Sequence, residues 1–366
     1  MKGVETNDAQ GAATDAAAVE DTATNTAPAP VEATKSALST LGEVLLLISP
    51  FFFWGTSMVA MKELSPHTTP LFVSAVRLLP AGAVVVAWAT LKGKPQPKTF
   101  AAWWAIALFA LADGTCFQGF LAEGLQRTTA GLGSIIIDSQ PLTVALLATL
   151  LLGENFTSAS AAGLVLGILG LTLLEVPQEA VLSLPQQIVG FIQHGDLPAA
   201  GGSALSIPPI SEWGRVWDSG AWWMLLAAQS MAVGTVLVPW VSKKADNIMA
   251  TGYHMLLGGL PLAVLAAVQE GDALAERLPQ LTGLDYLLLA YVSLLGSAAS
   301  YAVFFYNAGR GNLTRLSSLT FLTPMFAAGA GFLALNETLT PWQLGGGAVT
   351  LGAVALINSA PRNEQH

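Results

Sequence analysis

Asp138-Ser139-Gln140-Pro141 opens an apolar run, Leu142 to Leu152, that closes on Gly153-Glu154. The pattern returns as Phe321-Leu322-Thr323-Pro324, followed by Met325 to Leu335 and then Asn336-Glu337. In both copies a proline sits inside an apolar run and a glutamate ends it at the same distance. Around these anchors the halves keep step: Arg127 falls where Arg310 falls, Gly124 where Asn307 does, Thr157 where Thr340 does, and Gly163 where Gly346 does. Further upstream the register drifts by a few residues, with Gly55-Thr56 matching Gly234-Thr235 and Pro80 matching Pro261. One unit of about five membrane helices is therefore present twice. Because five is odd, the second copy must enter a bilayer upside down, the inverted repeat found in many secondary transporters.

Composition selects the same class. The 366 residues are 53% hydrophobic and 11% charged, where a soluble domain carries roughly a quarter of charged residues. The single cysteine, Cys116, lies in an apolar stretch and says nothing about disulfides or redox compartment, but it excludes any C-x-x-C site. The net charge of −9 comes largely from the amino-terminal tail and a few loops, which argues against a nucleic-acid partner. His67, His194, His254 and His366 show no metal-ligand spacing, and nothing resembles a nucleotide-binding loop, so no cofactor is expected.

Residues 1–40 hold six acids, no arginine and few large apolar side chains, the composition of an unordered tail without a transit or signal peptide. Ten apolar segments follow, at about 43–62, 69–91, 101–123, 129–152, 158–175, 221–241, 250–269, 284–306, 315–335 and 341–358. This makes an all-α membrane protein: a first repeat over 43–175, a connection over 176–220 with interfacial amphipathic pieces, a second repeat over 221–358 and a short tail over 359–366. Trp103-Trp104 and Trp222-Trp223 stand at span starts, where an aromatic belt would place them. Alternate loops hold ten basic residues on one side and four on the other, which puts both termini in the cytoplasm.

Three charges lie in spans where each costs at least a few kcal/mol unless paired or hydrated: Arg77, Asp113 and Asp138. Either aspartate is placed to pair with Arg77, and either could carry a proton. Alternatively, all three contact solute or a coupling ion. Pro141 and Pro324 interrupt their helices at matching positions, the sequence mark of a central site, although a plain kink would read the same. Glu154 and Glu337 stand at helix ends and are expected to satisfy the amides of tight turns, with Thr157 and Thr340 as caps of the next helices. His254 reads as a packing residue. Gly163 and Gly167 form a G-x-x-x-G face that would serve packing within a monomer or in a homodimer.

With Trp54-Gly55 in the first span, Arg77 in the second and the paired endings Pro141 to Glu154 and Pro324 to Glu337, the chain resembles the EamA branch of the drug/metabolite transporter superfamily over about 43–358. The resemblance implies ten transmembrane helices as two inverted five-helix EamA repeats. It further implies a central cavity lined by spans 1, 3, 4, 6, 8 and 9, and movement of small organic solutes across a plasma or plastid envelope membrane. Trp54, Arg77, Asp113, Gln118, Asp138, Gln140 and Pro141 are the expected pathway residues of the first half; Gln229, Tyr301, Thr323 and Pro324 are those of the second. The central charges are unshared, since Phe321 stands where Asp138 does and Gly258 about where Arg77 does. The long 176–220 connection resembles the plant-plastid and cyanobacterial members of the branch.

The expected function is secondary transport, as export, of small polar or amino-acid-like solutes by alternating access in a lipid bilayer, with proton coupling through Asp138 or Asp113. Two rivals stand beside it. A multi-pass membrane enzyme would want a nucleophile and base together, and Gly131-Leu132-Gly133-Ser134 gives only part of such a motif. A membrane assembly factor would not need Arg77, Asp113 and Asp138 in the bilayer.

Overall fold

In lipid the backbone must satisfy itself, and apolar runs without alternation can do so only as helices. Every described element of the chain is helical. The computed structural model describes residues 30–127, 130–175, 217–334 and 340–359. The expectations for residues 1–29, the 176–216 connection, Glu337 and the final residues lie outside these.

In chain order the helices are α1 (Pro30–Leu64), α2 (Pro70–Leu91), α3 (Phe100–Phe109), α4 (Phe117–Arg127), α5 (Ala130–Asp138), α6 (Gln140–Leu152) and α7 (Ser158–Glu175). The second half holds α8 (Gly220–Ser242), α9 (Asn247–Gln269), α10 (Gly271–Arg277), α11 (Gly283–Ser293), α12 (Ser300–Ala308), α13 (Leu313–Ser318), α14 (Leu322–Ala334) and α15 (Pro341–Ser359). Among the described residues, those from Val44 to Ser359 belong to one compact unit and those before Val44 to another. Residues 30–40, read from composition as part of an unordered tail, are helical in α1. Pro30 stands at the first helical position, and Glu32, Ala33, Lys35 and Ala37 are strong helix formers. Among the described residues, eight helices are long and apolar enough to cross a membrane, and the apolar part of α7, Ser158–Leu174, is shorter. Leu150, Leu151, Val268 and Leu333 expose 69, 68, 77 and 81% of their surface, a greasy exterior that only lipid tolerates.

Two departures from the α-helix stand at equivalent places. Ala110–Cys116 joins α3 to α4, and Leu294–Ala299 joins α11 to α12, each as a wider π-turn. Serine hydroxyls support the second one: Ser297 donates to the Val292 carbonyl at 2.9 Å and Ser300 to the Leu295 carbonyl at 2.7 Å. Sequence reading missed both segments, which are as apolar and small as their surroundings. The proline positions also match. Helix α5 breaks at Ser139 just before Pro141, and a 3-10 turn over Leu319–Phe321 precedes Pro324. Each proline removes the ladder donor for the carbonyl four residues earlier, that of Ile137 or Thr320.

Helices in lipid gain little from apolar burial against one another, so they associate through close packing at small residues. At α7 and α15 this packing is reciprocal. A methyl group on Gly163 would lie 3.1 Å from the Ala353 carbonyl, and one on Gly170 would lie 3.0 Å from the Gly346 carbonyl. The offset of 183 residues that relates Pro141 to Pro324 also exchanges these two contacts. It likewise exchanges Gly163 against Ile357 with Gly346 against Leu174. Numbers rise along one helix as they fall along the other, so the equivalent helices are antiparallel and the two-fold axis runs across them. Helices α2 and α9 pair in the same sense, Gly82 against Leu256 and Leu79 against Gly259. Gly163 and Gly167 meet Ile357 and Phe321, so this glycine face is used within the chain.

Two glutamates tie one repeat to the other. Gly153, at φ 71°, ends α6 in the left-handed conformation that glycine adopts without strain. The Glu154 carboxylate then accepts from Leu313 N at 2.6 Å and from Thr314 N and Oγ1 at 3.2 and 2.9 Å. It satisfies amides as expected, but those of α13 in the other repeat rather than of its own turn. Glu270, after α9, accepts from Leu71 N and Phe72 N, both at 3.1 Å, where the Thr69 side chain gives α2 no cap. Thr157 and Thr340 cap α7 and α15 through Ser160 N at 3.1 Å and Gln343 N at 3.2 Å.

These contacts give two expected outcomes. Gly170→Val should destabilise the protein by about 1–3 kcal/mol, whereas Gly352→Ala, where nothing lies within 4 Å, should leave the unfolding midpoint in detergent unchanged or raised. Equal effects at the two sites would remove the reciprocal packing. Glu154→Gln should speed hydrogen exchange at the Leu313 and Thr314 amides, with a loss of about 1 kcal/mol; unchanged protection there would show that the carboxylate is not the cap.

Candidate functional site

The polar interior is built around the two π-turns. A π-turn inserts a residue into the ladder and re-aims the side chains after it, and such turns are frequent at functional sites. On the first π-turn, Asp113 points at α9, where its Oδ2 lies 3.2 Å from Nε2 of His254. The histidine's Nδ1 lies 2.6 Å from the Thr251 carbonyl, and its ring stacks on Phe109 with centroids 4.2 Å apart. Both side chains are sealed, 0% and 1% exposed. On the second π-turn, Ser297 Oγ accepts from Arg77 Nε of α2 at 3.4 Å, and Arg77 Nη1 reaches Met61 Sδ at 3.5 Å.

The repeat relation organises these contacts. Ser297 is the equivalent of Gly114, and Arg77 of Gly258. Gly114 and Gly258 also meet: a methyl on Gly114 would lie 2.8 Å from the Gly258 Cα. One half thus places backbone against backbone where the other places a guanidinium against a hydroxyl. Between the two sits the pair Gln118 and Tyr301, themselves equivalent, with Gln118 Nε2 donating to the Tyr301 hydroxyl at 3.0 Å. A contact between equivalent residues marks where the two-fold axis passes.

Trp54 of α1 packs on this pair, 5.4 Å from Tyr301 and 5.2 Å from Phe304 by ring centroid. Phe305 stacks on Tyr301 at 5.5 Å and meets Phe109 at 4.9 Å. These rings pack together beside the bond between Gln118 and Tyr301. Two hollows lie beside Pro95, Asp246, Asn247 and Arg310.

The structure therefore joins Trp54, Gln118 and Tyr301 by direct contact and brings Asp113 to them through His254, whose ring centroid lies 6.1 Å from that of Tyr301. Arg77 bonds Ser297 and Met61, and Asp113, one of the two aspartates read as able to pair with Arg77, bonds His254 instead. Asp138, Gln140 and Pro141 are buried at the α5–α6 break, and Thr323 and Pro324 are buried at the start of α14. Gln229 is half-buried on α8, two residues before Met231, which packs with Phe117 near Trp54 and Ile137. His254, read as a packing residue, is a polar partner instead. Its position was legible only through the spatial neighbour it meets, 141 residues away.

Many polar atoms in this interior have no protein partner. Trp54 Nε1, Ser57 Oγ, Asp113 Oδ1, Gln118 Oε1, both side-chain amide atoms of Gln140, Thr235 Oγ1 and Thr323 Oγ1 are buried without a hydrogen bond. Among the described residues no group of His, Cys, Asp and Glu is arranged to hold a metal ion.

Comparison with known proteins agrees with this architecture. The EamA-like transporter family matches residues 41–176 and again 218–359. A chloroplastic WAT1-related protein of Arabidopsis thaliana is 54% identical over 322 residues, 88% of this chain and 70% of that protein. An uncharacterized transporter of Synechocystis is 48% identical over 314 residues, 86% of this chain and 89% of its own length. A probable terminal-alkyne amino-acid exporter of Streptantibioticus cattleyicolor is 26% identical over 254 residues, 69% of this chain and 72% of that protein. A crystal structure 16% identical in sequence shares the fold, with a TM-score of 0.66 over 85% of this chain and 94% of its own. Matched twice over most of its length, the chain is a multi-pass membrane protein that belongs to the EamA-like transporter family.

Proposed function

We propose that the chain is a secondary carrier that crosses the bilayer ten times, with α7 and α15 completing the two five-helix repeats, and exports small polar or amino-acid-like solutes by alternating access. Helix α7 has 18 residues, about 27 Å at 1.5 Å per residue, close to the roughly 30 Å hydrocarbon core. The ten basic residues on one side of the alternating loops favour both termini in the cytoplasm, in a plasma membrane or a plastid envelope. The amino-acid character of the solute is suggested by the relative named as an amino-acid exporter.

The observation that carries this reading is the set of unpartnered polar atoms. A buried polar group left unsatisfied costs about 1–3 kcal/mol. A chain selected only for stability would place apolar side chains at Gln140, Thr235 and Thr323. The atoms come from α1, the first π-turn and α4, α6, α8 and α14, five of the six spans the family resemblance assigns to its cavity. The aromatic rings of Trp54, Tyr301 and Phe304 close this seam in the present conformation, and rocking of the repeats about their two-fold axis would open it to either side.

Purified protein in liposomes, screened by counterflow against labelled amino acids and small organic acids, should carry at least one of them; no flux of any solute would remove the reading. Gln140→Leu should keep or raise the unfolding midpoint, because it deletes an unsatisfied amide, yet lower solute flux at least 10-fold. Undiminished flux in a stable Gln140→Leu protein would place the pathway elsewhere.

A further inference from the structure

The hydrogen bonds around His254 fix a proton count. The Thr251 carbonyl can only accept, so Nδ1 of His254, 2.6 Å away, carries a hydrogen and donates it. That leaves Nε2 facing Oδ2 of Asp113 at 3.2 Å. A bare ring nitrogen and a carboxylate oxygen are both acceptors and would repel. The contact requires one proton between them. With it the pair is neutral overall, whichever atom holds the proton. Without it a negative charge stands against a lone pair in a site from which solvent is excluded, a state that persists only if water or a cation enters.

The surroundings are shaped for this pair. Helix α8 presents Gly234, where a methyl group would come 2.9 Å from Asp113 Oδ1. Among the described residues, Tyr301 from α12, bonded to Gln118, faces the pair with its ring centroid 6.1 Å from that of His254, and Arg77 of α2 is held on Ser297. The equivalent of Asp113 in the second repeat is Gly296, and Ser57 occupies the space a side chain there would need. The pair therefore exists once in a molecule whose scaffold is present twice.

We propose that Asp113 and His254 form a single-proton site, and that the carrier exchanges this proton for its solute. The exchange rests on the transport reading above; the proton site does not. The proton moves as a proton alone, from the Oδ2–Nε2 bridge to water on the side that opens, with no other bond made or broken.

The site itself is tested without any solute. Nitrogen-15 NMR of histidine-labelled protein in detergent, with the His254 signal assigned by its loss in His254→Gln, should show a hydrogen on Nδ1 throughout the pH range in which the protein is folded. A bare Nδ1 with hydrogen on Nε2 alone overturns the site. The coupling is tested in liposomes with a pool of labelled amino acids and an imposed pH gradient. His254→Gln should lose at least 10-fold of gradient-driven accumulation while keeping solute-for-solute exchange. Accumulation that survives in this variant overturns the coupling, and so does equal loss of accumulation and exchange. If no amino acid in the pool moves even with the unaltered protein, the amino-acid transport reading and the exchange built on it fail together, and the NMR result still decides the proton site.

Discussion

The antiparallel, reciprocal contact between equivalent helices is the constraint on which the molecule depends. Between α7 and α15, and again between α2 and α9, glycines let backbones approach to distances no larger residue permits. Lipid offers apolar side chains nearly the same environment as a helix neighbour does, so dispersion at these close approaches has to hold the repeats together. Because the α7–α15 contacts are exchanged with their mates by a two-fold axis, a residue that serves one half there must also fit the other. Such symmetry explains the paired prolines, the paired π-turns and the bond between Gln118 and Tyr301 without separate causes.

Where the two halves differ, stability alone gives no reason. Arg77 against Ser297 replaces Gly258 against Gly114, and Asp113 against His254 has no counterpart because Gly296 is covered by Ser57. A buried charge costs several kcal/mol, and glycine on glycine at the equivalent position shows that the fold closes without it. Departures from local consistency in a well-packed scaffold are expected at sites of function. Here they gather on the two π-turns, on either side of the axis.

Much of the architecture was legible because it is written in period and repetition. Runs of about 20 apolar residues gave the helices, Pro141 and Pro324 gave the breaks, and Thr157 and Thr340 gave their caps. The π-turns were not legible: Ala-Leu-Ala-Asp-Gly-Thr-Cys over 110–116 has no composition that separates it from an α-helix, and only tertiary contact decides its winding. His254 was undervalued for a similar reason. A lone histidine on an apolar helix is usually a packing residue, and its partner Asp113 sits 141 positions away on an element whose facing could not be read from its own periodicity. Glu154 was correctly read as an amide acceptor, yet its target on α13 lies 159 residues on, beyond any local rule.

The two carboxylates at the helix ends bear on how such a bundle can be rigid and still move. Glu154 holds the amino terminus of α13, and Glu270 holds that of α2, each reaching from the end of a helix in the opposite repeat. By chain connectivity the two caps lie at opposite ends of the bundle. A carboxylate on exposed helix amides is a charge-assisted bond at the positive end of the helix dipole, worth on the order of 1 kcal/mol. When it opens near a membrane surface, water takes over both partners, so the loss is small and reversible. The glycine contacts along the bundle have no such substitute, because separating them leaves unfilled space. On the proposed carrier reading, motion between the repeats would be easiest as a rocking that keeps the glycine seams closed and exchanges the caps at one end for water at a time.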